Sequence, residues 1–208
     1  MKQKFSRKYF FNVMLVITGL LLSNGSSAAT FTNGDFSSGF NGWGGAVGSS
    51  SGINIVDPNT NPSNFNISSG AALLTSNTSL FGGNSVVDIF QTFVVQSLLS
   101  PSNILLLGFD FTKSFDDITD VFLAQIVESG NLSHAIDLSS GGSFDITSFA
   151  GKNVELRFGL ENVASPDGSN DSLIIDNIVI SQNQVSVPEP ATILLIGAGL
   201  MAMRRKFI

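Results

Sequence analysis

The chain has 208 residues, with no cysteine, one histidine, one tryptophan and one tyrosine. No disulfide can support its fold, no thiol can act in it, and multi-histidine metal sites are excluded. The formal charge of −6 hides a division: Thr30 to Val187 holds three basic and 15 acidic residues, a formal charge of −12, while seven basic residues lie in the two ends. A nucleic-acid binder needs the opposite sign to displace counterions from phosphates, so that class is set aside.

Lys2, Lys4, Arg7 and Lys8 precede a mostly apolar stretch from Tyr9 to Leu22, and Ser27-Ala28-Ala29 offers the small side chains that a signal peptidase reads. Residues 1–29 are therefore predicted to be a helical signal peptide cleaved after Ala29, with Ala28 as the alternative site and an uncleaved anchor as the alternative reading. Residues 30–182 are expected to form a single exported domain, which 158 residues to Val187 suit.

Within it, Ser85 to Val95 is rich in Val, Ile and Phe and reads as a less regular strand. Ile104 to Phe111 begins buried and then alternates. Val121 to Val127, apolar except for Gln125, reads as a central strand. Val154, Leu156, Phe158 and Leu160 alternate with Glu155, Arg157 and Gly159, the pattern of a half-buried strand. Leu173 to Ile180 reads as another, interrupted at Asp176-Asn177. No long amphipathic helix competes, so short strands with Gly and Asn turns predict an all-β, antiparallel sandwich. The clusters Phe115 to Asp120 and Asp167 to Asp171 read as solvated turns, the second as a hairpin between two strands.

Two stretches carry a resemblance. Asn33-Gly34-Asp35-Phe36 and Gly39-Phe40-Asn41-Gly42-Trp43 stand near the start; Phe144 to Phe158, leading into Leu173-Ile174-Ile175-Asp176-Asn177-Ile178, stands near the end. Together they resemble the opening and closing strands of galactose-binding-like jelly rolls, the fold of many carbohydrate-binding modules. The resemblance implies a jelly-roll sandwich and a structural calcium where first and last strands meet, in the regions of Asp35 and Asp176. The family often has Glu after the opening Phe, where this chain has Ser37, so one carboxylate of the six to eight oxygens a hard cation needs is missing. Hydrogen bonding in a turn and at a strand end is the alternative for both aspartates.

Residues 183–187 read as a linker, and 188–208 as a terminal signal. Pro188 and Pro190 hold Val187 and Glu189 extended, while Pro190 suits the first turn of a helix. The apolar run from Ala191 to Met203 rises about 20 Å as a helix, short against a hydrocarbon core of about 30 Å. Arg204, Arg205 and Lys206 follow at once and are suited to the cytoplasmic face. Val187-Pro188-Glu189-Pro190, the short transmembrane helix with its Gly-Ala-Gly, and the basic end closely resemble the PEP-CTERM sorting signal. That resemblance implies recognition by an exosortase, removal of the tail, and release or attachment at the cell envelope. A plain C-terminal membrane anchor is the alternative.

Catalysis finds little support. His134 would have to serve any Ser-His-Asp arrangement, and there is no nucleophile-elbow motif. Sugar binding lacks exposed Tyr or Trp: Tyr9 lies in the leader, and Trp43 sits in the opening motif as a core residue or as a ligand platform. The expected function is that of a noncatalytic interaction domain at the bacterial surface or extracellular matrix, needing no cofactor. Signal peptidase and exosortase are the processing partners. The alternatives are a carbohydrate-binding module for extracellular polysaccharide and a secreted glycoside hydrolase using two carboxylates.

Overall fold

A computed structural model describes residues 29–49, 52–76, 85–115, 120–162 and 171–184. The leader helix, the sorting residues Val187 to Pro190 and Arg204 to Lys206, the apolar run between them, and most of both acidic clusters lie outside the described residues.

Among the described residues twelve strands form two sheets. They are β1 Ala29–Thr30, β2 Gly44–Ser49, β3 Gly52–Val56, β4 Phe65–Ser68, β5 Ala71–Thr75, β6 Ser85–Val94, β7 Asn103–Ser114, β8 Val121–Glu128, β9 Asn131–Asp137, β10 Gly142–Asp145, β11 Asn153–Asn162 and β12 Ser172–Gln184. The larger sheet has the order β3-β2-β6-β11-β8-β9, with β1 added in parallel to the end of β6. The smaller sheet has the order β10-β7-β12-β5-β4. All pairings but that of β1 are antiparallel. From β5 onward the strands pair from the outside in: β5 with β12, β6 with β11, β7 with β10, and β8 with β9.

The two sheets share one apolar core, the arrangement of a β-sandwich. Val87, Ile89 and Phe93 of β6 and Val154, Leu156, Phe158 and Leu160 of β11 meet Leu105, Leu107 and Phe109 of β7 and Leu173 and Ile175 of β12. Each set follows the two-residue period by which alternate side chains share a face. The interruption expected in the last strand is a bulge. Asp176 lies opposite Asp110 and Val179 opposite Gly108, so β12 carries one extra residue. Asn177 absorbs it at φ 53°, in the left-handed region that Asn tolerates. The extra residue shifts the alternation by one, which keeps Ile178 in the core after Ile175.

Two expectations need correction. β11 and β12 belong to different sheets, so the Asp167–Asp171 segment joins the sheets and is no hairpin turn. Asp171 is buried rather than solvated: its N–H donates to Ser76 Oγ and its carbonyl accepts from the Ser76 N–H, each at 3.0 Å. β12 also runs two residues past the expected domain end at 182, because Asn183 and Gln184 pair with Ile104 and Asn103. Ala29, expected as the last leader residue, pairs with Phe93 in β1.

Candidate functional site

The opening motif folds as a loop organised by Asn33. Its side-chain amide donates to the carbonyls of Gly39 and Asn41, its Oδ1 accepts from Ser38 N–H, and its own carbonyl accepts from the Trp43 indole N–H at 3.1 Å. Phe36, Phe40 and Trp43 then turn into the core. Trp43 is 5% exposed and lies against Phe31, Phe36 and Phe158, so it presents no platform to a sugar.

This loop does meet the closing strand: Ile178 N–H donates to Gly34 O at 3.0 Å. A side chain at residue 34 would collide with the Ile178 carbonyl, which explains glycine there. Asp35 and Asp176 thus lie on adjoining segments, but each carboxylate is engaged locally. Asp35 Oδ1 accepts from the Ser37 N–H and hydroxyl, which hold its pKa below the usual value. Asp176 Oδ1 accepts from Asn177 N–H, whose side chain reaches Asp110 instead. Among the described residues no three His, Asp or Glu side chains converge on a point where a metal could sit.

A different constellation sits on the outer face of the larger sheet, where alternation turns Glu155, Arg157, Gly159 and Glu161 of β11 away from the core. Arg157 is 0% exposed. Its Nε and Nη2 donate to Glu155 Oε1 at 3.0 and 2.6 Å, its Nη1 donates to Asp88 Oδ2 at 3.4 Å, and its guanidinium lies 5.2 Å from the centre of the Phe90 ring. Asp88, only 2% exposed, stands directly across from Gly159, and a Cβ on residue 159 would collide with Asp88 Oδ1. Glycine therefore lets the carboxylate lie flush on β11, where Oδ1 has no hydrogen-bond partner. Burial pushes Asp88 up to about 6, with Arg157 opposing and Glu155 adding to the rise. Glu161 rises to about 7, first through burial and then through the nearby Asp88.

Sequence alternation alone assigned these residues to solvent. The readable signal was Asp88, a lone acid within Val86-Val87-Asp88-Ile89-Phe90. The cluster has perturbed carboxylates, of which Asp88 is almost wholly buried. Glycoside hydrolysis needs a sugar between two carboxyl groups of contrasting protonation. Here Asp88 and Glu161 shift in the same direction, and Asp88 is enclosed.

His134 belongs to a third group at the edge of the same sheet. Its Nδ1 donates to Glu128 Oε2 at 2.6 Å, and its Nε2 accepts from Ser148 Oγ at 3.0 Å in the matching tautomer. These two contacts have the order of an acyl-transfer triad. The surroundings differ. Lys152 Nζ donates to the same Glu128 oxygen at 2.9 Å, and the imidazole stacks on Phe149 at 4.1 Å. Around Ser148, the N–H of Thr147 is bound by Asp145, and those of Phe149 and Ala150 close the turn, leaving none of these three for an oxyanion. The hydrogen bonds from His134 and Lys152 hold Glu128 below its usual pKa.

Residues 186–206 match the PEP-CTERM protein-sorting motif. No match was found among curated proteins or among solved structures. The motif marks the chain as an exported, envelope-associated protein and a substrate for exosortase processing. Among the described residues no helix is long and apolar enough to cross a membrane.

Proposed function

We propose that this protein is a noncatalytic interaction module of the bacterial surface or extracellular matrix, exported by its leader and held in the membrane by residues 191–203 until an exosortase removes the tail. The carrying observation is adjacency. The sorting motif starts at 186, two residues after Gln184, the last paired residue among those described. The recognition segment therefore leaves the folded domain with almost no slack, as suits a signal that must be read at the membrane face. Sequencing the termini of protein recovered outside the cell tests this. The expected mature chain starts at Thr30 and ends near the Pro-Glu-Pro segment; an intact tail through Ile208 would refute processing.

The same reading takes the sandwich as a galactose-binding-like jelly roll. Support comes from the nested pairing of β5 to β12, the order left when one long hairpin is rolled into two sheets, β5-β12-β7-β10 and β6-β11-β8-β9. The docking of the opening loop on the last strand supports it too. That likeness is also the one observation favouring the second reading, a carbohydrate-binding module for extracellular polysaccharide. Saturable binding on a glycan array, lost on unfolding, would promote it over a protein-binding role. Against it stands the burial of Trp43.

A further inference from the structure

The two ends of the sandwich differ in charge. The segments joining β7 to β8 and β11 to β12 attach at one end and carry Asp116, Asp117, Asp120, Asp167 and Asp171. The other end is formed by the β6–β7 connection, the β8–β9 turn with Glu128, the start of β11 and the end of β12. From Ile89 to Phe109, and again from Asn177 to Pro188, there is no charged residue. Lys152 reaches this end through its carbonyl, which accepts from Val95 N–H, and its ammonium is paired with Glu128. Asp145 lies further along β7, opposite Leu106.

Leu99 stands at this sparsely charged end and is 89% exposed. Its presentation is built. Leu98 packs on the core beside it, Leu99 N–H donates to Gln182 Oε1 at 3.3 Å, and Asn103 N–H closes the turn on Ser100 O at 3.0 Å. Gln182 lies two residues before the end of β12, so the leucine is tied to the strand from which the tail departs. From Gln184 to Ala191 there are seven residue steps, at most about 25 Å of extended chain. β7 alone is about 36 Å long. While the tail is in the membrane, the Leu99 end is held within a tether shorter than the sandwich itself.

We propose that, before the tail is removed, the sparsely charged end carrying Leu99 rests on the outer surface of the lipid bilayer. The inference rests on insertion of residues 191–203. Three observations select lipid as the occupant. The tether gives the contact a high effective concentration, so that one apolar side chain suffices. At this end Glu128 is paired with Lys152, which leaves little net negative charge to repel anionic headgroups, whereas the segments attached at the opposite end hold five aspartates. Leucine at a fixed turn is suited to the acyl boundary. The acidic end then faces away from the membrane, toward whatever the mature domain meets.

The chain has no cysteine, so single labels are simple to place. Full-length Leu99→Cys and Ser114→Cys variants, the latter at the opposite end of β7, would carry an environment-sensitive fluorophore. They would be reconstituted in phosphatidylethanolamine–phosphatidylglycerol vesicles containing nitroxide-labelled lipid. Docking predicts co-flotation of both variants and quenching at residue 99 about threefold or more above that at 114. A spacer of about 20 Gly and Ser residues after Gln184 should bring that ratio towards one without affecting flotation, since effective concentration falls with tether length. Co-flotation with equal quenching at both positions would overturn docking while leaving the membrane tail intact. Failure to float would remove the tail reading and the docking with it. A label at 99 shielded from aqueous iodide yet untouched by nitroxide lipid would identify a second copy as the cover and also overturn the proposal.

Discussion

The two faces of β11 are buried for different reasons. Val154, Leu156, Phe158 and Leu160 enter the core between the sheets, where apolar area removed from water stabilises them. Glu155 and Arg157 on the opposite face are buried as well, yet desolvation penalises each of their charges. The first face is cohesive without any particular partner. The second holds together because Arg157 binds Glu155 and one oxygen of Asp88 at once. Burial therefore identifies a core residue on one face and a mutually dependent group on the other.

The largest effects should come from breaking each face once. Phe158→Ala and Arg157→Ala are each expected to lower unfolding free energy in urea by about 3–5 kcal/mol, the first through a cavity and the second by stranding two carboxylates. Their pH dependence should separate them: only the Arg157 loss shrinks on acidification, as Asp88 is neutralised. Replacing Asp88, Glu155 and Arg157 together by apolar residues of similar volume should cost far less than Arg157→Ala alone, or stabilise the fold.

Next in size is the pH dependence of the intact protein. Asp88 and Glu161 have folded pKa values raised from 3.8 and 4.5 to about 6 and about 7. Their contribution to stability is fully present below the unfolded values and is lost as pH rises through the folded ones. For Asp88 the shift corresponds to a loss on the order of 3 kcal/mol. Asp35, Glu128 and Asp145 are shifted down and act in reverse, contributing above their unfolded values and losing that contribution as pH falls through the folded ones. Thermal unfolding midpoints should thus peak in acidic buffer, at about pH 4, and fall towards neutrality. Asp88→Asn should flatten the fall between about pH 4 and pH 6, and Glu161→Gln the part that continues to about pH 7; unchanged profiles would show that burial does not set these protonations.

Smaller still is Gly159→Ala, whose methyl would strike Asp88 Oδ1. It should destabilise by about 1–3 kcal/mol, and much less in an Asp88→Ala background, where the collision is absent. The smallest effect is expected from EDTA. With Asp35 and Asp176 each bonded locally, the melting midpoint should not move; a fall reversed by calcium would establish a structural cation at the loop–strand junction.

Strand positions were legible where the apolar period was long. The stretches expected at 104–111, 121–127, 154–160 and 173–180 are β7, β8, β11 and β12, and Ser85 to Val95 is β6. The early strands were less so: β2, GGAVGS, owes its place to close packing, since a side chain at Gly44 would strike the Phe90 ring. The Asp176-Asn177 interruption was visible, but only pairing with β7 identifies it as a bulge. The outer-face cluster was not legible, because alternation reports which side of a strand a residue faces and not what lies over that side. The contact of Glu128 with Ser148 through His134 spans three separate segments and has no local signature.

By itself the sequence determined the route of this protein and its class. A leader pattern, a sorting signal and apolar alternation are local properties, readable from neighbours in the chain. Tertiary structure alone decided which charges are buried, that Trp43 is core, and that the less acidic end of the sandwich is the one from which the tail departs. The physical reason is common to all three. Desolvation, ring packing and the distribution of charge depend on residues far apart in sequence, and they acquire their values only when the sheets close on one another.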